Sequence, residues 1–350
     1  MTDAIGVGLV GFGMASRVFH VPIIRSVPEL SLKAIVSSQT ADIGRLVPEA
    51  KAYADIDSLL SDPTIELVVI ATPTNTHFDL ARQSLDAGQH VIVEKPFTTT
   101  CAQANELIDL ANRHGKILTV FQNRRWDGDF LTVKRLLAEG MLGRLVEYES
   151  HFDRFRNQPR LNWRETEVAG GGILFDLGSH LIDQSLVLFG LPLMIAADVR
   201  TQRDFGKSDD NFELILDYDR LKVTLKSGML VREQSPHFIL HGTTGSFVKY
   251  GLDPQEEALK RGLTPTDSNW GEEPAEQWGR LLAQFGELNF DGRVETIAGC
   301  YPAYYRNVVD AIRGRAELVV KPEQAKNVIR IIELAIESNQ RKCAIPFSPM

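Results

Sequence analysis

In the first third of the chain, apolar residues come in short unbroken runs. Each run ends in glycine or polar residues, and most lead into a stretch of helical spacing. The runs are Ile5-Gly6-Val7-Gly8-Leu9-Val10, Leu32 to Val36, Leu67 to Ala71, Val91-Ile92-Val93 and Ile117 to Phe121. Runs rich in β-branched residues without polar alternation predict strands buried on both faces, as in a parallel sheet. Helices are expected from Arg17 to Arg25 with Pro22 inside, from Asp55 to Leu60, and from the Thr72–His77 segment to about Ala87, with Asn75 as N-cap. A further helix is expected from Ala102 to His114. Strand–helix alternation up to a last strand at Ile117–Phe121 predicts a doubly wound, mostly parallel α/β sheet. The first domain is therefore residues 1–122.

Beyond Gln122 the pattern changes. A helix from Phe130 to Glu139 leads into strand-like alternation at Leu145–Asp153, Ile195–Arg203, Phe212–Asp217, Lys222–Lys226, Phe238–Gly242 and Phe247–Tyr250. The short polar link Asp217-Tyr218-Asp219-Arg220 points to antiparallel pairing. Residues 123–350 thus read as an α+β domain. Leu252 to Arg293, rich in glycine, proline and charge, reads as long surface loops, and helices are expected at Ala303–Arg313 and Pro322–Asn339.

Composition narrows the function classes. The 350 residues fit two domains, and 43% hydrophobic with 24% charged residues suits a globular chain with full cores. A formal net charge of −8 argues against nucleic-acid binding. Cys101, Cys300 and Cys343 are far apart and fit neither a disulfide framework nor a paired-cysteine metal site. No basic stretch followed by an apolar run opens the sequence, and no apolar run is long enough to span a bilayer. A soluble cytoplasmic protein without a membrane partner is expected.

Three stretches carry candidate chemistry. The first strand runs into Gly11-Phe12-Gly13-Met14-Ala15-Ser16, where two glycines between strand and helix allow a tight turn and close approach of a pyrophosphate. Ser16 replaces the third glycine of the dinucleotide fingerprint. At the end of the second strand stand Ser37 and Ser38, with no acid before Asp42 to take the ribose hydroxyls of NAD. Small hydroxyl residues leave room for a 2′-phosphate, so NADP is favoured, with NAD the other possibility. Arg17, Arg45 and Lys51 are each placed to supply the balancing charge. Thr72, Pro73 and Asn75 follow the Leu67 strand on the same sheet edge and are expected to line the cofactor. His77 joins them, although a histidine in a first helical turn is more often structural.

The second stretch is Val91-Ile92-Val93-Glu94-Lys95-Pro96-Phe97. The proline ends the ladder and sets Lys95 at the strand's carboxyl end, where ligands of open α/β sheets gather. A lysine there acts as a fixed positive charge or a proton relay, or it merely ends a strand at the surface. The third stretch is Gly170-Gly171-Gly172 followed by Asp176, His180 and Asp183 on a helical segment, Leu174 to Leu188. Asp176 and His180 share a helix face, and a histidine beside a carboxylate suits proton acceptance near neutral pH. An exposed helix pair and a partial metal site are the other readings. The metal reading lacks a third ligand nearby, so no metal is expected.

Together these motifs resemble the glucose–fructose oxidoreductase/inositol dehydrogenase/rhizopine catabolism (Gfo/Idh/MocA) family over nearly the whole chain. The resemblance implies an N-terminal Rossmann domain, a C-terminal open and mostly antiparallel sheet, and a cis Lys95–Pro96 bond. It implies that Lys95, Asp176 and His180 form the catalytic group. His180 would take the proton of a substrate hydroxyl, Lys95 would stabilise the alkoxide, and Asp176 would hydrogen-bond the substrate. Cofactor contacts are expected from Gly11, Phe12, Gly13, Met14, Ala15, Ser37, Ser38, Thr72, Pro73, Asn75, His77, Glu94, Lys95 and Asn123. Substrate contacts are expected from Arg124, Trp126, Arg154, Trp163, Arg164 and Tyr305, each with domain-interface packing as the alternative. The branch with NADP-dependent scyllo-inositol dehydrogenases is the nearest resemblance, which points to a neutral sugar or inositol-like polyol, with a sugar acid as rival. A broad sheet face in need of cover predicts a homodimer or homotetramer. The competing function class is a non-catalytic NAD(P)-binding sensor, which would have no need to keep all three catalytic residues.

Overall fold

The structure, a computed structural model, describes residues 4–160 and 162–348. Six strands build the first sheet: β1 (Ile5–Val10), β2 (Leu30–Val36), β3 (Lys51–Tyr53), β4 (Leu67–Ile70), β5 (His90–Val93) and β6 (Leu118–Val120). All pair in parallel, in the order β3-β2-β1-β4-β5-β6. Every residue of β1, β4 and β6 is buried, as unbroken apolar runs require. The order reverses between β1 and β4, and the crevice at such a switch point is where α/β sheets bind ligands. The turns after β1 and β4 flank it.

Some elements differ from the sequence expectation. The helix Thr40–Leu46 and β3 were not foreseen, because β3 is a three-residue, partly exposed edge strand with little apolar signal. The helix after the glycine turn starts as π-helix over Ser16–His20 and becomes α-helix only at Val21–Arg25. Pro22 is accommodated because it stands in the first turn of that α-helical part. Asn75 is not an N-cap: it lies inside a 3₁₀ turn, Thr74–Thr76, and the α-helix His77–Asp86 begins only after Thr76.

The second sheet has nine strands: β7 (Leu145–His151), β8 (Met194–Arg200), β9 (Asn211–Asp217), β10 (Lys222–Gly228), β11 (Phe238–Gly242), β12 (Gly245–Lys249), β13 (Gly279–Phe285), β14 (Leu288–Val294) and β15 (Ile345–Pro346). Their order is β14-β13-β12-β11-β7-β10-β9-β8-β15. Only β7 and β10 pair in parallel; the other pairs are antiparallel. The expectation of loops over Leu252–Arg293 is corrected. That region holds a helix, Gln255–Lys260, and the hairpin β13–β14, which turns at Gly286 with φ +63°. β14 lies at the sheet edge with most of its residues exposed, so no buried alternation marks it as a strand.

The chain packs as two units. The first comprises the described residues up to Trp126 together with Gln255–Trp270 and Cys300–Lys326. The second comprises Asp127–Pro254, Gly271–Gly299 and the described residues from Asn327 onward. The returning segments join the first unit through specific bonds. Arg124 pairs with Glu256 at 2.6 Å, and Thr119 Oγ1 donates to the Val320 carbonyl at 2.7 Å. No helix among the described residues is long and apolar enough to cross a membrane.

Candidate active site

The glycine turn is shaped by its surroundings. Gly11 has φ +96°, and a Cβ there would lie 2.7 Å from the Ala71 carbonyl oxygen. Around Gly13 nothing lies within 4 Å of a Cβ position, so the backbone is open on the side where a phosphate approaches. Ser16, in the third-glycine position, is buried and closes the turn by donating to the Gly11 carbonyl at 2.8 Å. This cradle fits a dinucleotide pyrophosphate. Phe12 is 2% exposed and so offers its main chain, whereas Met14 is half exposed beside it.

At the end of β2, Ser37 Oγ accepts from the Gln39 amide at 3.1 Å. Arg17 reaches this corner from the helix. Its guanidinium stands 5.0 Å over the Phe12 ring, Nε donates to the Phe12 carbonyl at 2.9 Å, and Nη2 donates to Gln39 Oε1. Of the other two cations considered for a 2′-phosphate, Arg45 pairs with Asp42 at 3.0 Å and Lys51 stands over the Tyr53 ring.

The β4 and β5 turns are tied together by His77. Its Nδ1 is 2.9 Å from the Pro96 carbonyl oxygen and its Nε2 3.0 Å from that of Thr72. Burial pushes the imidazole below its ordinary value, and a neutral ring donates to one of these carbonyls at a time. His77 is thus a brace between turns, in line with the structural reading of a first-turn histidine. Thr72 and Thr76 hydroxyls lie 2.6 Å apart, Thr76 Oγ1 donates to the Pro73 carbonyl, and Asn75 is exposed.

Lys95 follows at the carboxyl end of β5, half-buried, with the Lys95–Pro96 bond cis as the resemblance implied. Glu94 is 8% exposed and extends the ladder by donating its amide to the Ile70 carbonyl. Its Oε2 accepts from the Lys95 amide at 3.0 Å, and its Oε1 lies 2.9 Å from His20 Nε2. Burial alone would raise the Glu94 carboxyl. The His20 hydrogen bond and the positive charge of Lys95 outweigh it and hold the group below its usual range.

Asn123 and Arg124 are buried in the 3₁₀ turn after β6, with Trp126 part-exposed at its end. Arg124 is ion-paired to Glu256. Burial would lift that carboxyl, but Arg124 and Lys260 hold it at about 2. The Trp126 ring packs edge-on against Tyr304, with centroids 5.6 Å apart. Tyr305, expected to touch substrate, is fully buried with its hydroxyl 2.6 Å from His20 Nδ1, so it offers a ligand no surface.

In the second unit the run Gly170–Gly172 has a packing reason. Gly172 has φ +86°, and a Cβ there would fall 1.8 Å from Asp209 Oδ1. Asp209 Oδ2 accepts from the Leu174 amide at 2.8 Å, capping the segment that carries Asp176. Burial raises the Asp209 carboxyl to about 6. The segment is π-helical over Leu174–Gly178 and α-helical over Ser179–Phe189, and π turns are frequent at functional sites. Asp176 is part-exposed, while His180 is 5% and Asp183 2% exposed. Arg164 Nε lies 3.3 Å from Asp176 Oδ1, and its guanidinium stacks 4.6 Å over the Trp163 ring. Arg164 and Trp163 are thereby gathered at Asp176. Arg154 lies over Phe152. Among the described residues no group of three or more histidine, cysteine or acidic side chains is placed to hold a metal ion.

Residues 5–122 match the NAD-binding Rossmann fold of the Gfo/Idh/MocA oxidoreductase family, and residues 134–347 match that family's C-terminal alpha/beta domain. The chain belongs to this family. It is 46% identical to the uncharacterized oxidoreductase YdgJ of Escherichia coli, covering 99% of both chains. It is 39% identical to the scyllo-inositol 2-dehydrogenase (NADP(+)) IolW of Bacillus subtilis, covering 98% of this chain and 96% of the relative. The solved structure of the putative oxidoreductase yvaA from Bacillus subtilis superposes with a TM-score of 0.96 over 99% of each chain at 39% identity. Family membership makes the protein an oxidoreductase with a nicotinamide-binding domain and a small-molecule substrate. The sequence reading missed His20 and Asp209, which carry no local motif: their partners are 74 and 285 residues away for His20, and 35 for Asp209.

Proposed function

We propose that the protein is an NADP-dependent dehydrogenase acting on a secondary alcohol of a sugar or inositol-like polyol. The observation that carries this is the joint presence of Lys95 after the cis-proline strand end and of Asp176 with His180 on one helical segment. A non-catalytic sensor would have no use for that set. When bound, the nicotinamide supplies the hydride acceptor; the residues supply proton handling and orientation.

His180 accepts the proton of the substrate hydroxyl. Lys95, a compact positive charge at the sheet's carboxyl edge, stabilises the oxygen as negative charge grows on it. Asp176 accepts a hydrogen bond from a neighbouring substrate hydroxyl. Its pairing with Arg164 sets an acceptor beside a donor, which suits a vicinal diol. The glycine turn, Thr72, Pro73, Asn75, Asn123 and the main chain at Glu94–Lys95 hold the cofactor.

NADP rather than NAD is supported by Ser37 and Ser38, which carry no charge to repel a 2′-phosphate, and by Arg17 at the same corner. It is supported also by the NADP(+) dependence of the relative IolW, whose substrate, scyllo-inositol, suggests the polyol class. The protein is expected in the cytoplasm as a homodimer or homotetramer.

The test is steady-state oxidation of a panel of inositols, aldoses and sugar acids with NADP⁺ and NAD⁺ in parallel. Turnover of a cyclic polyol with NADP⁺ preferred is the expected result. Silence across the panel while NADPH still binds would favour the sensor.

A further inference from the structure

Behind Lys95 runs a buried line of polar groups that the proposed chemistry leaves unused. His20 and Tyr305 are 0% exposed and Glu94 8%, yet they bond to one another. Tyr305 hydroxyl meets His20 Nδ1 at 2.6 Å, His20 Nε2 meets Glu94 Oε1 at 2.9 Å, and Glu94 Oε2 accepts from the Lys95 amide at 3.0 Å. Because an ionised carboxylate only accepts, His20 Nε2 carries a proton and donates to Glu94, while Nδ1 faces the Tyr305 hydroxyl. Burial holds that hydroxyl protonated, which suits it as the donor. Glu94 thus accepts from His20 on one oxygen and from the Lys95 main chain on the other.

Three polar side chains in an apolar interior are costly unless fully partnered, and an aliphatic trio would fill the same space without that cost. What this trio adds is a fixed tie between two functional segments. His20 sits on the helix that begins at Ser16, whose hydroxyl closes the glycine turn on the Gly11 carbonyl. Glu94 holds the main chain at Lys95.

We propose that Glu94, His20 and Tyr305 are positioning residues for Lys95, clamping its main chain to the helix of the dinucleotide turn. Tyr305 backs the imidazole and comes from the helix Pro302–Ile312, far along the chain. The inference rests on the reading of Lys95 as the group that faces the substrate oxygen.

The experiment is a mutant cycle with NADP⁺ and scyllo-inositol as probes, joined to amide exchange at Lys95. Glu94→Gln keeps the shape and removes the charge. It is expected to lower kcat about ten- to a hundredfold with KM within about twofold, since small misplacements of a reacting group cost that much. The same variant speeds exchange of the Lys95 amide. In a Lys95→Met background Glu94→Gln costs nothing further, because it acts only through the lysine. Tyr305→Phe loses one hydroxyl at the far end of the line and stands in should Glu94→Gln fail to fold. It is expected to cost kcat about three- to tenfold.

Wild-type kcat and unchanged Lys95 amide exchange in these variants would overturn the proposal, as would an equal loss in the Lys95→Met background. Full turnover by Lys95→Met alone would instead defeat the reading of Lys95. An inactive Lys95→Met beside fully active Glu94→Gln and Tyr305→Phe would defeat only the positioning line.

Discussion

The turn Gly11-Phe12-Gly13 and the run Gly170-Gly171-Gly172 both precede a helix whose first turn is π-wound, yet the space around their glycines differs. At Gly13 the Cβ position is empty out to 4 Å, so the missing side chain leaves room for something from outside the protein. At Gly171 and Gly172 it is already filled: a Cβ would lie 2.7 Å from the Thr166 carbonyl oxygen and 1.8 Å from the Asp209 carboxylate. The first helix carries no acidic residue in its first turn and suits an anion at its N-terminus. The second carries Asp176 and His180 and is capped by Asp209. Within the first turn Gly11 is packed like Gly171 and Gly172, its Cβ position 2.7 Å from the Ala71 carbonyl oxygen, and only Gly13 is open. Glycine spacing alone does not separate an open turn position from a packed one; the space around each Cβ position does.

The comparison breaks first at the helix that carries Asp176 and His180. His180→Ala should lower kcat by about 10²–10⁴, the usual worth of a general base, with the NADPH Kd near that of the unmodified protein. Turnover close to normal would take His180 out of the mechanism. The glycines come next. Gly172→Ala forces a side chain into positive φ and onto Asp209, so it should cost roughly 1–3 kcal/mol or more, read as a fall in Tm. Gly13→Ala should leave Tm nearly unchanged and weaken NADPH about tenfold, because the pyrophosphate can no longer approach the backbone. If Gly13→Ala unfolds the protein and spares affinity, the two glycine segments are not different in kind.

The cofactor corner gives a smaller effect. Ser37→Asp should shift the NADP/NAD ratio of kcat/KM about tenfold toward NAD, and Arg17→Ala should weaken NADP⁺ while sparing NAD⁺. Unchanged ratios would place the 2′-phosphate elsewhere.

The Arg124–Glu256 pair couples ionisation to stability. The Glu256 carboxyl is depressed from 4.5 to about 2, so its contribution is present above about pH 4.5 and fades as pH falls toward 2. Glu256→Gln should therefore lose at most about 3 kcal/mol relative to the unmodified protein at neutral pH, with the gap closing in acid. A gap independent of pH would show that the pair matters by packing.

What could be read from the chain followed burial. β1, β4 and β5 have at most one residue that is not fully buried, and their unbroken apolar runs located them closely. β3, β13 and β14 lie at or near sheet edges with exposed residues, and their sequences look like loops. The strand end at Lys95 was legible because Glu-Lys-Pro is a local signal after a buried run, and Asp176 and His180 because four residues make one helical step. Asn75 was misjudged as a cap because a 3₁₀ turn precedes the helix, and such a turn leaves no separate trace in composition. Tyr305 illustrates the larger gap: an aromatic next to Tyr304 reads as a site wall, but only the fold shows its hydroxyl spent on His20. Partners hundreds of residues apart leave no pattern in a single sequence.

The most direct test of the central claim is transfer of label from scyllo-inositol carrying deuterium on its ring carbons to NADP⁺, read by mass spectrometry of the reduced cofactor. The account predicts deuterated NADPH formed by the unmodified protein, and about 10²–10⁴ more slowly by His180→Ala. Reduced cofactor without deuterium, or equal rates of labelling by the two proteins, would contradict it.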